Sequence, residues 1–117
     1  MEGTVSEGPH AFRRPDWVAV ARDGCVDVES RVILVDDDLG VAMLRFGPHG
    51  TIDEHAAPHD IDVACVEGSG YASIDGKEWP LRAGETLRWP RESKHRLWTD
   101  GKTMTTLMLE RLGRSRG

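Results

Sequence analysis

The stretch Gly84-Glu85-Thr86-Leu87-Arg88-Trp89-Pro90-Arg91-Glu92-Ser93-Lys94-His95-Arg96-Leu97-Trp98-Thr99 decides the fold. Gly84 closes the turn Leu81-Arg82-Ala83-Gly84, and Thr86–Trp89 follows as a short run suited to a strand. Residues 90–93 then turn the chain, since proline fixes φ and removes a donor. His95 opens the next run, 95–98, directly after that turn.

The same rhythm extends in both directions. Upstream, 17–21, 25–28 and 32–35 are short β-compatible segments, and Asp36-Asp37-Asp38-Leu39-Gly40 is an acidic turn. The run 41–46 is expected to stop at Gly47-Pro48-His49-Gly50, and 61–66 at Glu67-Gly68-Ser69-Gly70, after which 71–74 returns. Asp75-Gly76 and Asp100-Gly101 both carry a short-hairpin signature. Met104, Leu107, Met108 and Arg111 would suit a helix in 103–112, but three threonines and the preceding turn favour a strand. Nine or ten strands at this spacing predict an all-β sandwich or barrel. The chain divides into a flexible arm at 1–16, with Phe12 as its docking residue, a barrel at 17–112 and a disordered tail at 113–117.

Composition agrees. In 117 residues there are 13 glycines and 6 prolines, about 16% against an average near 12%, too many for a chain of long helices. The longest apolar runs are a few residues, so no transmembrane helix is expected. A net charge of -5 without a basic face argues against nucleic acid as a partner. Cys25 and Cys65 form no CxxC pair, and the polar start Met1-Glu2-Gly3-Thr4 lacks an apolar signal region, so a cytoplasmic protein with reduced thiols is expected. Neither a GxSxG elbow nor a phosphate loop is present.

The histidines carry what chemistry there is. His10 lies in the arm and His49 in a Gly/Pro turn, whereas His55 and His59 share an acidic stretch and His95 opens a strand. Imidazole suits Fe, Ni and Zn, but Pro58 rules out a helix that would stack His55 on His59.

The segment from Phe46 to Arg111 resembles the small single-domain cupins, jelly-roll barrels of the cupin-2 type. Their second motif is Gly, five residues, Pro, one residue, Gly, two residues, His, three residues, Asn. Gly84, Pro90 and His95 fall in register, and Glu92 and Thr99 stand where the Gly and Asn would be. The first motif is His-x-His, three or four residues, Glu, six residues, Gly. His55 and Gly68 match its ends, but Ala57 takes the second histidine position and Ile61, or Asp62 at the longer spacing, the glutamate position.

The resemblance implies a metal-dependent enzyme of dioxygenase or isomerase type, holding Fe, Mn, Ni or Zn, and carries over two of the four usual ligands, His55 and His95. Of His59, Asp62 and Asp60, side-chain type and local position make His59 the expected third ligand, with Asp62 next as a further one. Strand alternation tempers Asp62: if Ile61 faces inward, Asp62 points away. The alternative is a metal-free sensor or carrier for a small, largely apolar molecule. Trp89, Leu87, Leu97 and Met43 are the expected cavity lining, with Met108 and Trp98 as further candidates. The resemblance also implies a homodimer built by exchanging a terminal strand.

Overall fold

In the computed structural model the described residues are 7–9, 11 and 15–113. His10, Phe12 and residues 114–117 of the expected tail lie outside them. Eight strands and no helix are present among the described residues: β1 (Val18–Ala19), β2 (Cys25–Val35), β3 (Leu39–Ala56), β4 (Asp60–Ile74), β5 (Lys77–Arg82), β6 (Thr86–Trp89), β7 (Lys94–Trp98) and β8 (Met104–Arg111).

β3 and β4 are long because each serves two sheets. The first part of β3 pairs with β8 from Leu39 to Phe46, and its last part pairs with β7 from Thr51 to Ala56. β4 likewise pairs with β8 and β6 early, then with β7 and β5. Two sheets therefore face each other through a pair of shared, bent strands, which is a jelly-roll barrel.

The glycine clusters read as stops are these bends. A Cβ at Gly68, where φ is +74°, would run into the Thr103 carbonyl, so glycine lets the backbones approach and turn the corner. Thr99 holds the matching corner of β3: its hydroxyl donates to the Gly47 carbonyl at 2.5 Å and accepts the Gly50 N–H at 2.9 Å.

The two hairpin signatures part ways. Asp75 and Gly76 both have positive φ, 49° and 86°, and join the paired β4 and β5 as a primed turn. Asp100-Gly101 instead links β7 to β8, which lie in different sheets and do not pair. There Gly101 donates to the Pro48 carbonyl at 2.7 Å, so the loop caps the β3 bend and makes no hairpin. The 103–112 run is a strand, β8.

The core fills the space between the sheets. Ile61, Val63 and Cys65 alternate inward from β4, and Leu97 and His95 from β7. Phe46, Trp89 and Met104 add the bulk. Burial pushes the Cys65 thiol pKa up, as expected of an inert buried cysteine.

Candidate functional site

His55 reaches the interior through an irregularity in β3. Ile52 pairs with Leu97 and His55 with His95, so three residues of β3 span two of β7. This bulge inverts the side-chain parity and puts His55 on the face that Ile52 already occupies. Without it His55 would face outward. His95 follows Leu97 by strand alternation and is fully buried.

The two imidazoles meet edge to face, ring centroids 4.4 Å apart at 75°. His95 also lies flat on the Trp89 indole, centroids 3.9 Å apart at 8°. The β6–β7 turn that presents both rings is fixed by the Glu92 N–H, which donates to the Ala57 carbonyl at 2.8 Å. Glu92 itself takes a left-handed conformation, φ 64°, so the backbone at this motif position keeps the shape glycine usually provides.

His55 Nδ1 donates to the Asp53 carbonyl at 3.0 Å, which fixes the orientation of the ring. Burial, with the neighbouring His55 adding to it, pushes the His95 pKa down to about 4, so His95 is neutral near pH 7. Both ring nitrogens of His95 and the Trp89 indole N–H are buried without a hydrogen-bond partner.

Beside this trio opens a cavity of about 640 Å³. Its buried end is formed by Leu44, Ile52, Ile61 and Trp89, with half-buried His55 and Ala57; Arg22, Val32 and Val35 stand exposed at its rim. Arg22 and Glu110 are the only Asp, Glu, Lys or Arg residues among the described lining.

The expected metal set does not assemble. His59 lies between the end of β3 and the start of β4 and is not part of the cavity wall. Asp62 faces outward, as inward-facing Ile61 requires, where Arg88 Nε at 2.7 Å and Arg111 Nη2 at 2.8 Å bind its carboxylate. Its hydrogen bond from Arg88, with Arg111 helping against partial burial, lowers its pKa to about 2. Among the described residues no three His, Cys, Asp or Glu side chains are placed to share an ion. Structural sites use about four protein ligands and catalytic ones about three. Two imidazoles flanked by Ala57 and Ile61 do not fit a tightly held divalent metal.

The lining also differs from expectation. Trp89 lines the cavity, whereas Leu97 is sealed in the core and Leu87 borders a separate apolar cavity near Trp79 and Leu81. Met43 is absent from the wall that Gly40, Val41, Ala42 and Leu44 form. Met108, paired with Ala42, takes that place. Trp98 stacks on Tyr71, at 39% exposure, with centroids 5.6 Å apart. The segment Val20-Ala21-Arg22, for which the sequence holds no distinctive signal, closes one side of the cavity.

A family model described as Cupin domain matches residues 42–110. No curated protein sequence matches the chain. Among solved structures, the polyketide cyclase RemF from Streptomyces resistomycificus is similar with a TM-score of 0.78 at 18% identity, covering 92% of this chain and 80% of the cyclase. A cupin-2 domain protein from Rhodospirillum rubrum gives 0.76 at 16% identity over 94% and 79%. KdgF from Halomonas sp. gives 0.74 at 19% identity over 86% and 88%. At these identities the likeness is one of fold.

Proposed function

Because this chain belongs to the cupin domain family, we propose that it uses the barrel interior to bind a small, largely apolar molecule without a tightly held metal, as a sensor or carrier. One observation carries the reading. Ala57 and Ile61, at the positions where the family motif has its second histidine and its glutamate, both line the cavity beside His55. At these two positions the wall offers apolar side chains and no metal donor. Such a wall, with few polar groups, suits an apolar ligand held in one orientation.

Nile red, a neutral apolar dye, tests the reading. Its fluorescence is expected to rise on binding the wild-type protein, and the rise is expected to vanish in Ala57→Trp, which fills the cavity. An unchanged rise in that variant would overturn the proposal.

The juxtaposition of His55 and His95 supports a second reading, a metal-dependent oxygenase or isomerase in which water and substrate complete the coordination. Metal content separates the two. The proposal extends to a cytoplasmic homodimer joined along β1 and β2, a reading supported by the exposed Val18, Val26 and Leu34. Light scattering on the purified chain tests the assembly.

A further inference from the structure

Resting on the cavity-binding reading, we infer that the ligand joins an apolar body to one ammonium-type cation, which the Glu110 carboxylate receives, and that the site discriminates against the corresponding anion. Glu110 owes its position to the pairing of β8. That strand pairs with β3 from Leu39 to Phe46 without a register shift. Met104, Thr106, Met108 and Glu110 therefore share the inward face, and the first two are fully buried. Glu110 stands opposite Gly40 on β3 and Ile61 on β4, and Ile61 in turn stands opposite Trp89 on β6. All four residues of this cross-strand row line the cavity.

The carboxylate lies at the wall itself. A Cβ built on Gly40 would be 3.6 Å from the Glu110 Cβ and 3.6 Å from its Oε1. The glutamate thus lies across a strand position that carries no side chain, and is left uncovered on that side. Ile61 beside it and Met108 two residues back in β8 are apolar.

Among the described residues no ion pair engages Glu110. The cations of the neighbouring strands are committed elsewhere. Arg88 and Arg111 bind Asp62 on the outer face, and Arg31 and Arg45 lie over the Trp17 ring. Arg22 shares the cavity, but it stands exposed at the rim.

The two charges of the lining are therefore unequal. A half-buried carboxylate without a partner is costly in an apolar wall, and a cation brought by the ligand relieves that cost. Opposite charges attract more strongly there than in water, because the effective dielectric is lower. The rim guanidinium is surrounded by water and salt, which screen its attraction for an anion. An anionic head group entering the cavity would also meet the charge of Glu110.

The test is a calorimetric titration of the whole protein at pH 7 with three matched probes: 2-naphthylmethylamine, 2-naphthylmethanol and 2-naphthoate. Their aromatic body is constant, and their head groups are cationic, neutral and anionic. We expect the amine to bind roughly tenfold tighter than the alcohol, the discrimination worth about one charge-assisted hydrogen bond, with 2-naphthoate weakest. In Glu110→Gln, which keeps the shape and removes the charge, the amine-to-alcohol ratio should fall to near one. Glu78 is exposed on β5 and lines no part of the cavity, so Glu78→Gln removes one negative charge from the surface and should leave the ratio as in wild type. Each comparison is a ratio on one protein, so a moderate loss of stability in a variant leaves it readable. A wild-type ratio near one, 2-naphthoate binding tightest, a ratio unmoved by Glu110→Gln, or an equal fall in Glu78→Gln would overturn the head-group inference while leaving cavity binding intact. Failure of all three probes to bind would overturn both.

Discussion

His95 lies flat on Trp89, ring centroids 3.9 Å apart and 8° from parallel, and both rings are buried with their nitrogens unpartnered. The stack ties the motif's histidine to the wall of the cavity. Burial, with His55 adding to it, keeps that histidine neutral near pH 7, with consequences that can be measured.

Acid should weaken the fold before ordinary carboxylates titrate. The folded pKa of His95 is about 4 against a reference value of 6.5. Its neutral form is preferred in the native state, so the associated stability is complete above pH 6.5 and is lost as pH falls toward 4. The loss is on the order of 3 kcal/mol. Urea unfolding at pH 7.0 and 4.5 should show it, and His95→Phe should flatten this dependence. An unchanged pH dependence in the variant would contradict the account.

Asp62 should matter for stability and not for the cavity. Its pKa of about 2, below the reference 3.8, means stability present above pH 3.8 and lost as pH falls toward 2. Arg88 and Arg111 are half exposed, which screens the pairs. Asp62→Asn is expected to cost about 1–2 kcal/mol and to leave Nile red binding intact. Loss of dye binding in a folded variant would place Asp62 in the site after all.

Thr99 latches the corner of β3 with two hydrogen bonds, one of them to the Gly50 N–H. Thr99→Val keeps the volume and leaves that N–H unmet, at a cost of about 1–3 kcal/mol. A denaturation midpoint equal to wild type would remove the latch from the account.

Glu92 sits at φ 64°. Left-handed backbone costs an L-residue roughly 1–2 kcal/mol, partly offset in any glycine variant by the entropy of the unfolded chain. Glu92→Gly should therefore stabilise the protein by about 0.5–1 kcal/mol. A lower melting temperature would show that the glutamate side chain contributes something the geometry does not display.

Much of the barrel was legible in the sequence. Gly84, Pro90 and His95 set a register that the β6–β7 turn follows, and Asp75-Gly76 makes the turn its chemistry requires. The misreadings have a common cause. Glycines at 47, 50, 68 and 70 look like strand ends, yet here they bend continuous strands between sheets, and only the partners Asp27, Phe46, Thr103 and Trp98 reveal it. The Asp100-Gly101 turn was misread because a turn signature does not say which sheet comes next. At the site, the pairing of His55 with His95 depends on a bulge after Ile52 that no local signal announces. Asp62 was open to strand alternation, and Ile61 facing inward settles its direction. His59 carries the right chemistry at a place the backbone does not bring inward.

The most direct test of the central claim is the metal content of untagged protein after incubation with Fe, Mn, Ni and Zn, measured by elemental analysis beside two double variants. Wild type should retain far less than one equivalent and should match His55→Ala/His95→Ala. Ala57→His/Ile61→Glu, which restores the two missing donors, should gain about one equivalent per chain. One equivalent in the wild type, lost in His55→Ala/His95→Ala, would contradict the account.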